Sequence, residues 1–264
     1  MTTIGNLARS AHPMPVIAVT VLTAALAISV GGFGTRILPV VLAVVTGQLV
    51  VGWTNDIIDR DRDAASGRRD KPIAMGLVSP AVAVRFAVGT FIVCVVASLA
   101  CGVVPGAIHL VFGVGSAVAY NAGVKSTLWS WAPYTVAFGA LPAVVYLSVG
   151  QGFPPLWMAI VGGLLGFGAH LVNVLPDLYD DAATGVHGFP HRLPQRTVAP
   201  VAATVLVLAS IVGLLGSGSA RVWIALPVVL VFATAACLGR GKIPFYAAVM
   251  IAAVDVAVLV LADG

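Results

Sequence analysis

The chain has 264 residues, 59% of them hydrophobic and 9% charged, with a formal net charge of +4 at pH 7. A soluble domain carries roughly a quarter charged residues, so this composition excludes a water-soluble globule and points to membrane embedding. No basic surface interleaved with aromatics is available, which excludes nucleic acid as a partner, while the excess of Lys and Arg suits anionic membrane lipid.

In chain order, apolar segments that span a bilayer or nearly so are predicted at 14–33, 37–54, 81–101, 103–120, 129–149, 155–175, 199–216, 220–238 and 243–262, nine helices in all. The first follows a short polar head and is followed at once by further apolar runs. It therefore reads as a transmembrane helix and not as a removable signal peptide. The third and fourth are divided only at Cys101-Gly102 and Pro105, which predicts a long helical hairpin. The expected fold is all-α and polytopic, with residues 1–264 forming a single integral membrane domain. Cys94, Cys101 and Cys237 lie scattered in apolar runs without a CxxC pair and read as small buried hydrophobes. Trp129, Trp131 and Trp157 fall near helix ends, where interfacial belts form.

Charge placement orients these helices. One set of connections holds Arg9; Arg60, Arg62, Arg68, Arg69 and Lys71; Lys125; Arg192 and Arg196; and Arg240 and Lys242, with Arg85 just inside the third helix. The opposite side holds Arg36 and Arg221. This asymmetry predicts an N-terminus on the cytoplasmic side of a cell membrane.

All ten acidic residues are Asp, and four of them crowd into NDIIDRDRDAASG, Asn55 to Gly67, at the end of the second apolar run. A second stretch, NVLPDLYDDAATG from Asn173 to Gly185, matches it. Asn173 falls on Asn55, Asp177 on Asp59, Asp181 on Asp63 and Gly185 on Gly67. The two stretches are four predicted helices apart. An even number of spans returns the chain to the same face, so both motifs are expected on the cytoplasmic side, as in a parallel internal repeat. Two four-helix halves plus one helix would then face their Asp clusters across a central cavity.

Residues four apart share a helix face, so Asn55, Asp59 and Asp63 form one stripe, and Asn173, Asp177 and Asp181 another. Asp56 and Asp180 lie close beside them. Converging carboxylates repel one another and are costly to bury, and a hard cation removes both problems. Mg2+ takes oxygen ligands and bridges carboxylates to phosphates; Mn2+ fits the same oxygen donors. Facing clusters suggest two Mg2+ ions on one diphosphate. Arg68, Arg69, Lys71, Lys125, Arg192 and Arg196 are candidates for its oxygens. Each of these bases also suits a plain positive-inside anchor. Gly67 and Gly185 would end the helical stretch or allow a tight turn.

These motifs resemble those of the UbiA superfamily of intramembrane prenyltransferases. Its NDxxDxxxD pattern is matched in full by Asn55, Asp56, Asp59 and Asp63, and its DxxxD pattern by Asp177 and Asp181. Tyr120 and Lys125, in Tyr120-Asn121-Ala122-Gly123-Val124-Lys125, are similar to a Tyr/Lys element of the fourth-to-fifth connection, and Arg9 with Pro13 to an Arg/Pro element before the first helix. The resemblance spans essentially the whole chain. It implies a helical bundle around a cavity, with Mg2+ holding the diphosphate of an isoprenyl donor. Asp59, Asp63, Asp177, Asp181, Lys125 and Tyr120 are the implied catalytic residues. Arg9, with His12 beside it, is the implied contact to an acceptor whose identity is open. Two other readings compete: a terpene cyclase of similar architecture that uses the donor alone, and a divalent-ion transporter.

His109 and His170 lie in predicted helices, and His170, three residues before Asn173, reads as a core histidine that alternatively faces the cavity. His187 and His191 read as loop residues, with phosphate binding or proton removal as the alternative. Asp255, deep in an apolar run, is a protonated packing group or a proton acceptor. Gln48 falls on the expected cavity wall.

Overall fold

Long runs of Val, Ala, Leu and Ile leave a backbone in lipid only internal hydrogen bonds, and the chain takes the helical solution. The structure, a computed structural model, describes residues 2–218, 223–239 and 243–261. Its helices are α1 Thr3–Ser10, α2 Pro13–Gly31, α3 Ile37–Ile58, α4 Arg60–Ala65, α5 Pro80–Ala100, α6 Val103–Ile108, α7 Ser116–Asn121, α8 Ala132–Val149, α9 Leu156–Val174, α10 Leu178–Ala183, α11 Gln195–Ser217, α12 Ala225–Leu238 and α13 Ile243–Leu261. A π-helical segment, His109–Gly115, joins α6 to α7 in one span, Val103–Asn121. Arg221, Arg240, Lys242 and the Asp180 side chain, all used in the sequence reading, lie outside what is described.

Among the described residues, seven helices are long and apolar enough to cross a membrane: α2, α3, α5, the α6–α7 span, α8, α9 with its 3-10 extension, and α11. The apolar stretches Ala225–Leu238 and Ile243–Val258 that follow are shorter. The protein is thus an all-α polytopic membrane protein. The predicted ends are close, and the differences have local causes. Helix α5 starts at Pro80, with Ser79 Oγ accepting from Val82 N at 3.3 Å. Helix α1 has too little apolar length to register in hydropathy. It is fixed by packing: Leu7 is buried beside Trp53, whose Nε1 donates to Leu7 O at 2.9 Å.

The core runs between α8, α9, α11 and α13. Helices α8 and α9 approach through Gly162 and Gly166. A Cβ at these positions would stand 2.4 Å from Phe138 O and 2.3 Å from Tyr134 O. Small residues four apart let two backbones meet where lipid supplies no hydrophobic drive. Cys94 is buried, Cys101 is partly buried, and Cys237 is exposed on α12. Asp255 is buried between α13 and α11, where it accepts a hydrogen bond from Ser210.

Candidate active site

Both acidic motifs sit at helix ends that stop and restart. Helix α3 ends at Ile58 and α4 begins at Arg60, yet Asp59 N bonds Asn55 O at 2.9 Å and Asp63 N bonds Asp59 O at 2.8 Å. The four-residue register survives the break, so Asn55, Asp59 and Asp63 stay on one face. Helix α9 breaks at a 3-10 turn, Leu175–Asp177, because Pro176 cannot donate to the ladder. Gly67 and Gly185 follow α4 and α10 with φ of 67° and 85°, left-handed values that favour glycine.

The two motifs line one cavity of about 400 Å³. Its mouth gathers Asn55, Asp59, Asp63, Asn173, Asp177 and Asp181 with Arg62, Arg68, Lys71 and Lys125. Its inner arm is walled by α2, α3, the π segment, α7 and α8. Asp59 is the centre of the mouth. Lys125 Nζ donates to both its oxygens at 2.5 Å, Arg62 pairs with it at 2.8 Å, and Asn55 Nδ2 donates to it at 3.1 Å. Asn121 places Asn55, accepting from its Nδ2 at 3.3 Å while donating to Val51 O at 3.0 Å. Arg68 connects the two motifs. It holds Asp70 through two 2.9 Å bonds and reaches Asp177 at 3.5 Å.

Burial pushes the Asp63 and Asp181 carboxyls above the usual range; Lys71 opposes this at Asp63, and Arg62 at Asp181. Burial likewise lowers the Lys125 ammonium, with Asp59 opposing. The Arg68 hydrogen bonds hold Asp70 down to about 2. A cation fits this mouth. All its donors are oxygens, and Asp63 Oδ2 is buried without a hydrogen-bond partner. Among the described residues, no three His, Cys or acidic side chains converge to enclose a metal alone. Mg2+ does not need them, since it binds through one or two carboxylates, waters and phosphate oxygens.

Asp56 goes elsewhere. It is 1% exposed, does not line the cavity, and takes Lys71 Nζ at 2.6 Å and His12 Nε2 at 2.8 Å on one oxygen. One residue along a helix is a turn of about 100°, which carries Asp56 off the Asn55 face. His12 reaches it from a left-handed backbone, φ 54°, the sole positive value at a non-glycine among the described residues. Replacing Asp56 with alanine strands the Lys71 ammonium. Thermal or denaturant unfolding in detergent should show a loss of about 3–5 kcal/mol.

The other candidates divide. His12 and Lys71 line the cavity, whereas Arg9, Arg69, Arg192 and Arg196 are exposed and do not. Tyr120 lines it and meets Tyr134 edge-on at 5.2 Å and His170 at 5.7 Å. His170 is buried behind these rings, with Nε2 3.0 Å from Ser130 Oγ. His187 and His191 lie outside the lining; Gln48 and His109 are within it. Arg62, Asn121, Asp70 and Tyr134 went unnoticed as site residues in the sequence. Arg62 and Asn121 stood inside motifs already quoted, which was the available signal. Tyr134, whose hydroxyl accepts from Asn173 Nδ2 at 3.3 Å, carried none.

The model of the UbiA prenyltransferase family matches residues 16–254. No curated protein matches the chain. Among solved structures, a digeranylgeranylglyceryl phosphate synthase superposes with TM-score 0.71 at 15% identity, covering 100% of this chain and 98% of its own. A UbiA homologue from Archaeoglobus fulgidus bound to GPP and Mg2+ gives TM-score 0.72 at 13% identity, covering 97% and 99%. The same homologue bound to DMAPP and Mg2+ gives 0.73 at 13% identity, covering 97% and 98%. At these identities the structures establish a shared fold.

Proposed function

Because the chain belongs to the UbiA prenyltransferase family, we propose that it ionises an isoprenyl diphosphate at the mouth between Asp59 and Asp177 and transfers the prenyl group to a lipophilic or aromatic acceptor. The observation that carries this reading is one cavity with two chemistries. Five carboxylates, Asp59, Asp63, Asp70, Asp177 and Asp181, and four cationic side chains share its mouth, and an apolar arm leads away from them. The similar homologue bound with GPP or DMAPP and Mg2+ supports the choice of donor and metal.

Asn55, Asp59, Asp63, Asp177 and Asp181 would hold two Mg2+ ions, with Mn2+ able to replace them. Bound there, the metal supplies Lewis acidity to the leaving diphosphate. Arg62, Arg68 and Lys125 donate to its oxygens as the C1–O bond breaks and the electron pair departs with the diphosphate. The apolar arm keeps water from the allylic cation. Tyr120 presents its ring to that cation. An electron pair of the acceptor then forms the new bond to C1, and the acceptor gives up a proton. His12 lines the cavity wall, which supports a role for it in meeting the acceptor. We further propose that the whole chain acts as one domain, with the N-terminus and both motifs facing the cytoplasm.

The aromatic wall of Tyr120, Tyr134 and Phe138 favours a second reading, in which the cation closes on its own chain without an acceptor. The transporter reading has little support, because both acidic motifs lie at one end of the bundle.

Diphosphate release by the purified protein in lipid tests the proposal. With donors of graded length, release should need Mg2+, fall to background under chelator, and return when Mg2+ is restored. Asp177→Ala should abolish it. Mass spectrometry of the extracted products should show an acceptor adduct from a panel of aromatic acids and lipid alcohols. A hydrocarbon formed without acceptor would establish the cyclase, and no release from a bound donor would end both readings.

A further inference from the structure

Two polar side chains interrupt the apolar arm, and both offer hydrogen-bonding atoms that no described residue engages. Gln48 stands on the stripe of α3 that carries Val44, Val51, Asn55 and Asp59, all of which line the cavity. Its amide bonds no described residue and remains open to the cavity. His109 faces it from the π segment. The ring is 6% exposed, with Nδ1 2.8 Å from Ser98 Oγ. The single Ser98 hydroxyl proton is given to Cys94 O at 2.6 Å, so Ser98 Oγ accepts from Nδ1–H. This network assigns the tautomer and leaves a bare lone pair on His109 Nε2, also unengaged and open to the cavity. The ring packs over the backbone of Gly47, where a Cβ would lie 3.3 Å from Nε2. Glycine at this position is what lets the imidazole edge reach the arm.

We propose that Gln48 and His109 form a gauge that limits the length of the isoprenyl tail. The inference rests on the function proposed above and adds the donor class. Along α3, Gln48 lies about 10 Å below Asn55 and about 16 Å below Asp59. At roughly 5 Å per extended isoprene unit, the distance of about 10 Å to Asn55 and about 16 Å to Asp59 corresponds to about two to three units between the diphosphate end and the pair. A shorter tail leaves the amide and Nε2 in contact with water. A longer one lays hydrocarbon over both and gives them no partner, which is the costly way to bury a polar group. Beyond the pair, Val44 and Val144, each 2% exposed, line the last turn of the arm. The π turn fits the same role, since such turns re-aim a side chain inside an otherwise regular span.

The test is equilibrium binding of unreactive isoprenyl thiolodiphosphates of two, three and four units to the full chain in lipid with Mg2+. Wild type should bind the two- or three-unit compound at least about tenfold more tightly than the four-unit one. In Gln48→Leu and in His109→Leu, the four-unit compound should gain at least about fivefold relative to the two-unit one. Gln48→Leu carries the test if His109→Leu does not fold. The same length ratio in wild type and variant would overturn the gauge, as would equal binding of all lengths by wild type, with the proposed function left standing. No binding of any length would bring down that function and the gauge with it.

Discussion

Asp59→Asn should reduce Mg2+-dependent diphosphate release by at least about a thousandfold, the upper end of what one charge-stabilising group contributes. Three side chains converge on its two oxygens: Asn55, Arg62 and Lys125, the last through two contacts. Asparagine keeps the shape and one acceptor but removes the charge a metal requires. Two explanations of a loss must be separated, since Asp59 also holds Lys125 in place. Lys125→Met should cost about a hundredfold by removing a donor to the leaving group. If Asp59 only positions Lys125, the double variant will be no worse than either single one, and Mn2+ affinity will be unchanged in Asp59→Asn. If Asp59 is a ligand, Mn2+ affinity falls with activity and the double variant is worse than both. A double-mutant cycle with a metal titration decides between them.

The site was legible to the extent that it followed helical periodicity. The Asn55, Asp59, Asp63 stripe and its copy at Asn173, Asp177 and Asp181 could be read because spacing alone puts each set on one face. Asp56 shows the limit. It belongs to the same motif and is the same residue type, yet a neighbour in sequence points to another side of the helix, where His12 and Lys71 hold it. Arg192 and Arg196 show another limit. They follow a motif, but in a loop, and the path of a loop has no period from which to read a direction. Helix α3 outran its hydropathy signal, predicted to stop at 54 and observed to reach Ile58. Polar residues end an apolar run without ending the hydrogen-bond ladder. The polar pair Gln48 and His109 needed the structure. Only the Ser98–Cys94 bond reveals that one imidazole nitrogen is left without a proton.

Gly166→Leu should abolish the folded protein or destabilise it by about 3 kcal/mol or more, at the upper end of overpacking costs. The reason lies in backbone and not in side chains. The new Cβ would stand 2.3 Å from Tyr134 O and 2.7 Å from its carbonyl carbon, so no rotamer change relieves the clash and α8 must leave α9. That separation reaches the site. Helix α8 carries Tyr134, Phe138 and Leu141 of the cavity wall, and Tyr134 accepts from Asn173 at the second motif. Any Gly166→Leu protein that survives extraction should therefore have lost donor binding as well as thermal stability. Gly89→Leu is the matched control, because a Cβ on that position of α5 meets nothing within 4 Å. It should elute and melt like wild type in detergent size-exclusion and thermal unfolding measurements. A Gly166→Leu protein that also did so would show that α8 and α9 do not cross at this glycine.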